Sequence, residues 1–330
     1  MENETIKEFM AQKAGQIFGN AFILNRMKRV LGGAQKHTYL AETENNFKFI
    51  IYIWDKSTSY FSYDCKKDVF SSSSAQLFEE NNKFMMQHNV NVPKLYYMDR
   101  SKENQEYEYA FVEYIDGIDM DEIISKYPER LHFVLPSLKN SIDNLHNIKS
   151  AVVGQLNNFQ TSEFNIIDFS FNSAQKDIDY LIQVDDKNKE LYSELSDILC
   201  QSTQSMTTRD EYTFIHGELG PNHVIVDESN NAFLIDIEGA KYCDLEEETS
   251  FLKIRFGNNY KNLINKQLDQ KRMEFYHLCH CLGNLSGAIK LKIDNYYDID
   301  DVKGMINYFI SLLRKVVDEN SKNEYYVHSL

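Results

Sequence analysis

Side chains able to do chemistry gather between residues 216 and 238 of this 330-residue chain. The stretch reads His216-Gly217-Glu218-Leu219-Gly220-Pro221-Asn222-His223-Val224-Ile225-Val226-Asp227, then Leu234-Ile235-Asp236-Ile237-Glu238-Gly239. Taken alone it is strand, turn and strand, with His216 as a structural hydrogen-bonder and Glu218 as a solvated loop acid. Imidazoles and carboxylates so grouped also suit proton transfer and the holding of a divalent ion. Three other groupings compete with it. His277, His280 and Cys281 stand at i, i+3 and i+4 of a helix, a metal-ligand spacing. Their apolar neighbours and the lack of a distant second ligand pair favour core and boundary positions. Asp244, Glu246, Glu247 and Glu248 either add negative potential near an acceptor or form the acidic first turn of a helix. The run from Asp294 to Asp301 suits a polycation, a sugar or a solvated loop.

The elements that must position these groups follow from periodicity. Ile23–Leu31, Lys36–Glu42 and Phe47–Trp54, separated by Gly32-Gly33 and Asn45-Asn46, read as three antiparallel strands. Ala75–His88 has Leu77, Glu80, Phe84 and His88 at helical spacing. Two further strands follow Pro93, the second ending at Gly117. From Met120 onward the spacing is mostly helical, with helices expected over Leu131–Ile148, Asp177–Leu199, Lys271–Ile289 and Val302–Val317. The interruption at 213–236 holds short strands and an Asn230-Asn231 hairpin turn.

The stretch that opens at His216 resembles the catalytic loop of the aminoglycoside phosphotransferase family, relatives of choline kinase and the protein kinases. Its pattern there is HGDxxxxN(I/V)xxD, followed after an apolar strand by a metal-binding aspartate. The resemblance covers nearly the whole chain. It implies an α+β, protein-kinase-like bilobal fold. An N-terminal nucleotide-binding lobe (1–116) would have five antiparallel strands and one helix, and a mainly helical lobe (117–330) would hold the catalytic hairpin and the acceptor. Phosphoryl transfer needs a carboxylate to orient or deprotonate the attacking hydroxyl, and ligands for a divalent ion that neutralises the β/γ-phosphates.

By this resemblance Glu218 takes the place of the catalytic aspartate, His223 that of the metal-binding asparagine and Asp236 that of the metal-binding aspartate. Asn222 is the alternative ligand if the loop is shifted by one residue, and His216 is part of the structural motif. Two of these are departures from the family. The extra methylene of glutamate moves its carboxylate by about an ångström. Histidine offers Mg²⁺ a borderline nitrogen and suits Mn²⁺ better. Gly32, Gly33, Ala34 and Gln35 fall where the family folds a loop over the phosphates. The strand lysine that contacts the α/β-phosphates is expected at Tyr52, with Lys48 four residues earlier on the same face as a substitute. Its helix partner would be Glu80. Glu113, Tyr114 and Ile115 match the hinge that reads the nucleotide base.

Composition narrows the partners. With 35 Lys plus Arg against 50 Asp plus Glu, the formal charge is −15 and the pI about 5.1, which disfavours nucleic acid and favours a cationic or sugar-like acceptor. The apolar runs fall far short of the ~20 residues of a spanning helix, so no membrane partner is expected. Five cysteines without a CxxC pair fit a reducing cytoplasm. The expected activity is transfer of the γ-phosphate of ATP or GTP, with Mg²⁺ or Mn²⁺, to a hydroxyl of an aminoglycoside- or macrolide-type antibiotic. Two alternatives stand beside it. One is a housekeeping kinase for choline, a sugar or an amino-acid-derived alcohol. The other is a nucleotide-binding pseudokinase, motivated by the missing Asp, Asn and strand Lys. The sequence leaves the oligomeric state open.

Overall fold

The computed structural model describes residues 2–30, 36–55, 69–103, 105–204, 206–294 and 299–327. In chain order come α1 (Glu2–Phe18), β1 (Leu24–Val30), β2 (His37–Thr43), β3 (Lys48–Trp54), α2 (Ala75–Gln87), β4 (Leu95–Asp99), β5 (Glu108–Glu113), β6 (Gly117–Asp119), α3 (Met120–Lys126) and α4 (Leu131–His146). Then follow β7 (Lys149–Ser150), β8 (Gly154–Gln155), β9 (Asn158–Phe159), α5 (Ile166–Val184), α6 (Lys189–Thr203), β10 (Tyr212–Ile215), β11 (Val224–Asp227), β12 (Ala232–Leu234) and β13 (Lys241–Cys243). The chain continues with α7 (Leu245–Phe256), α8 (Tyr260–Leu263), α9 (Gln270–Ile293) and α10 (Ile299–Val327). These elements form two compact units. The first comprises Met1–Ile148, Gly154–Phe159 and Gly220–Lys241, and the second Lys149–Val153, Gln160–Leu219 and Tyr242–Leu330.

The first unit is built on the sheet β1-β2-β3-β5-β4, all of whose neighbours run antiparallel. Strand β3 explains why residues 49–54 form a continuous apolar run: it is covered on both faces, so alternation disappears. Phe49, Ile51 and Ile53 face the core that includes Met10 and Ala14 of α1. Tyr52 and Trp54 face the other way, against Phe78 of α2, with ring centroids 5.3 and 5.5 Å from it. Ser74, the last of the four consecutive serines at 71–74, caps α2 by accepting the Leu77 amide at 3.3 Å.

Helix α1 corrects the expectation of a single helix in this lobe. Its charged residues hide a stripe at helical spacing, Ile6, Phe9, Met10, Ala14, Ile17 and Phe18, which packs on the sheet. Phe18 meets Phe49 at 5.2 Å and Phe111 at 6.0 Å. Full burial of Met10 is worth about 1.5–3 kcal/mol.

A second sheet, β12-β11-β6, completes the first unit. Its close approach demands Gly117, where a Cβ would stand 2.2 Å from the Val226 carbonyl oxygen. The β11–β12 hairpin turns through Asn230 at φ 64°, as the Asn-Asn pair predicts. Arg130 holds this turn with hydrogen bonds to Asn230 Oδ1 and the Asp227 carbonyl.

The second unit is mainly helical, with α9 packed against α5, α7 and α10. Buried faces all round explain the weak amphipathicity of α9. The helix expected over Asp177–Leu199 is two helices, α5 and α6. The chain breaks at Asp185, whose carboxylate accepts from Tyr192 Oη at 2.6 Å and from Asn188 Nδ2 at 2.8 Å. Aspartate bonded locally in this way competes with helix continuation. No helix among the described residues is long and apolar enough to cross a membrane.

Candidate active site

The turn after β12 is shaped by one aspartate. Asp236 has φ 60° and ψ 47°, a left-handed conformation that is uncommon outside glycine and is held here by its surroundings. The surroundings are identifiable. Asn81 of α2, fully buried, donates to the Ile237 carbonyl at 2.7 Å. The Ile235 amide donates to the His223 carbonyl at 3.0 Å, and Gln155 Nε2 reaches the Glu238 carbonyl at 3.4 Å. The backbone on both sides of Asp236 is therefore tied down, and its carboxylate has a defined direction.

That carboxylate lies between two nitrogens. Oδ1 accepts from Lys36 Nζ at 2.6 Å, and Oδ2 stands 3.4 Å from His223 Nε2. Lys36 also meets Glu238 Oε1 at 2.6 Å and lies 4.8 Å above the Tyr52 ring. The Lys36 and Glu238 side chains are 9% and 3% exposed, whereas that of Asp236 is 38% exposed. Burial alone lowers the affinity of Lys36 for its proton; the attraction of Asp236 and Glu238 outweighs it and raises the pKa above that of ordinary lysine. Burial pushes the Tyr52 phenol up to about 12, so it stays neutral. Burial likewise pushes the Glu238 carboxyl upward, with Lys36 pulling against it.

The remaining sequence-selected residues of this unit sit as follows. Lys48, at the start of β3, is turned to the Tyr114 ring, 5.3 Å from its centroid. Glu80 is half-buried on α2, its Oε1 accepting from Gln76 at 2.8 Å and its Oε2 buried without a hydrogen-bond partner among the described residues, and the carboxylates that meet Lys36 are Asp236 and Glu238. Glu113 closes β5 with its amide on the Lys94 carbonyl at 2.8 Å, and its side chain accepts the Lys94 amide at 3.0 Å. Tyr114 and Ile115 follow directly, half-buried. Asn222 is exposed in the turn Pro221–His223. Gly32, Gly33, Ala34 and Gln35 lie outside the described residues.

In the second unit, His216 is fully buried and Glu218 exposed. Between them Gly217 adopts φ 87°, which only glycine takes without strain. Its amide donates to Glu248 Oε2 at 2.8 Å, and the His216 amide donates to Oε1 at 3.3 Å. The acidic cluster is the first turn of α7, as one of its two readings had it, and it is buried and engaged, not a free field of negative charge: Asp244 is the N-cap, and Glu246 and Glu248 are buried in the turn. Arg209 binds Glu246 through both guanidinium arms at 2.7 and 3.0 Å, and Arg272 with Tyr276 holds Asp244. Among the described residues no three His, Cys, Asp or Glu side chains converge as a metal site, which includes His277, His280 and Cys281.

His223 and Asp236 fit a divalent ion as a pair. Adjacent ligands about 2.1 Å from an octahedral ion lie roughly 3 Å apart, close to the observed separation. One imidazole nitrogen beside one carboxylate oxygen would suit Mn²⁺ better than Mg²⁺.

Sequence reasoning missed Lys36, Glu238, Asn81 and Glu248 as parts of the site. Lys36 was visible only as the first residue expected of the second strand, three positions past the Gly32-Gly33 turn, and Glu238 only as the acid two residues past Asp236. Asn81 carried a weak signal, an amide on the apolar side of a helix.

The sequence matches the model of the phosphotransferase enzyme family over residues 27–260. No curated protein matches it. The fold is that of solved small-molecule kinases. A thermostable mutant of the aminoglycoside phosphotransferase APH(4)-Ia superposes with TM-score 0.66 at 14% identity, covering 94% of this chain and 98% of that one. A complex of that enzyme contains ADP and hygromycin B. Choline kinase LicA from Streptococcus pneumoniae superposes with TM-score 0.62 at 14% identity, covering 93% and 99%. A putative aminoglycoside phosphotransferase from Ralstonia eutropha JMP134 gives 0.64 at 10% identity, covering 96% and 98%.

Proposed function

The chain belongs to the phosphotransferase enzyme family, and from that premise we propose that it transfers the γ-phosphate of ATP or GTP to a hydroxyl of a small molecule, an aminoglycoside- or macrolide-type antibiotic. The observation that carries this reading is the Asp236 carboxylate, fixed in a left-handed turn with His223 Nε2 at 3.4 Å. A nucleotide-binding protein with no use for a divalent ion has no need of that strained, partly exposed carboxylate beside an imidazole.

Each residue has a part. Asp236 and His223 hold Mg²⁺ or Mn²⁺, with Asn222 as the alternative ligand; the bound ion would offset charge on the β/γ-phosphates. Glu218 orients or deprotonates the acceptor hydroxyl, on a loop that Glu248 holds through the His216 and Gly217 amides. Backbone groups of Glu113, Tyr114 and Ile115 read the nucleotide base, and the loop at Gly32 to Gln35 covers the phosphates. The lobe at 1–116 serves the nucleotide and the remainder serves catalysis and the acceptor. A net charge of −15 supports a cationic acceptor and the absence of nucleic-acid partners, and five cysteines without a CxxC pair support a cytoplasmic enzyme.

The test is acceptor-dependent ADP or GDP release over aminoglycosides, macrolides, choline and simple sugars. Release with one acceptor class, lost in Asp236→Asn, supports the proposal and identifies the substrate. Glutamate at 218 favours the second reading, a protein that binds nucleotide without turnover. Nucleotide binding without release by any acceptor would establish that alternative.

A further inference from the structure

A lysine on the third strand is the ordinary cation for a kinase's α/β-phosphates, and β3 has Tyr52 at that position. The ammonium of Lys36 fills the space just above that ring, 4.8 Å from its centroid, on the sheet face that carries α2. We propose that Lys36 is the cation that contacts the phosphates of the donor nucleotide, and that Glu238 is the carboxylate that positions it. The inference rests on the nucleotide-site reading above.

Three observations support it. The first is location: Lys36 directly precedes β2 and approaches Tyr52 from the neighbouring strand, so its charge arrives where a longer cationic residue at 52 would place one. The second is burial. A buried lysine–glutamate pair, 9% and 3% exposed, is a poor way to fill space, since two apolar side chains in place of both partners would pack there without the desolvation cost of the two charges. The third is the asymmetry of its two partners. Glu238 is buried and Asp236 is partly open, so Glu238 is the standing partner while Asp236 also faces His223. An ammonium has three N–H donors, and among the described residues two are spent on these carboxylates. Once Asp236 takes a divalent ion, Lys36 keeps Glu238 and has donors for phosphate oxygen. The usual pairing of strand lysine with helix glutamate is thus moved to Lys36, just before β2, and to Glu238, two residues past the metal aspartate, while Glu80 Oε1 accepts from Gln76.

Calorimetric titration with ATP, ADP and adenosine tests this in wild type, Lys36→Met, Lys36→Met/Glu238→Gln and Lys36→Met/Tyr52→Lys. The second variant leaves no uncompensated buried carboxylate at 238, so it reports even if Lys36→Met alone does not fold. Loss of a charge-assisted phosphate contact weakens ATP and ADP by about tenfold or more while adenosine stays within about twofold. Tyr52→Lys restores part of the lost ATP affinity by returning the charge to the strand. Unchanged ATP affinity in the Lys36 variants, with wild type binding ATP, overturns the inference and leaves the nucleotide reading intact. Equal loss of ATP and adenosine also overturns it, since the lysine then acts only through structure. If wild type binds no nucleotide, the nucleotide reading falls first and the inference with it.

Discussion

Glu248 accepts the Gly217 amide at 2.8 Å, and its second oxygen accepts the His216 amide at 3.3 Å. A carboxylate from the first turns of α7 thereby holds the backbone from which Glu218 projects. Removing it leaves two buried amides without their acceptor, a loss of about 1–3 kcal/mol each in an unrelaxed site. Glu248→Ala is therefore expected to lower the unfolding free energy by about 2 kcal/mol or more and to cut turnover more than nucleotide affinity. Glu248→Gln, which keeps one acceptor oxygen, should fall between. Chemical denaturation alongside ADP-release kinetics checks both; wild-type turnover in Glu248→Ala would show that the loop needs no such anchor.

Glu218 is exposed, on the loop that Glu248 anchors. Neutralising it removes the group assigned to the acceptor hydroxyl. Glu218→Gln should lower kcat by about 10²–10⁴-fold with nucleotide affinity unchanged. Parallel loss of nucleotide binding would move Glu218 out of its catalytic role.

How much of this was legible in the residues depends on the range of the contacts. The five strands, the α2 helix and the β11–β12 hairpin follow from apolar runs between turn residues, helical spacing and an Asn-Asn turn, all of which are local. Helix α1 escaped because its stripe is diluted by charge and only the sheet beneath it reveals Met10 and Ala14 as core. The Asp185 break escaped because its signal is a pair of side-chain bonds and not a glycine or proline. Position 236 was readable from an apolar strand ending in aspartate. Lys36 was not, since it lies 200 residues from the aspartate it meets and stands just before β2 in a stretch whose local pattern does not single it out. The same holds for Asn81, 156 residues from the carbonyl it binds.

Acid sensitivity is expected from His277. Burial first, then Lys253 and His280, lowers it to about 4, and its Nδ1 has no hydrogen-bond partner among the described residues. The unfolded chain, with an ordinary histidine near 6.5, binds this proton more readily than the folded one. Stability from this group is thus fully present above about pH 6.5 and falls as pH drops toward 4. Denaturant midpoints measured from pH 7 to 4.5 should decline less steeply in His277→Gln than in wild type. Identical slopes would show that His277 does not contribute.

The account rests on Asp236, and the most direct measurement is a thermal-shift titration of wild type and Asp236→Asn with ATP and GTP, each with Mg²⁺ or Mn²⁺. Ligand at a hundredfold excess over Kd adds about 2.7 kcal/mol, which for a chain of this size corresponds to a Tm rise of about 4 °C. The account predicts such a rise in wild type with metal and nucleotide together, and its loss in Asp236→Asn. A rise of equal size in both proteins, or none with any nucleotide and metal, would contradict it.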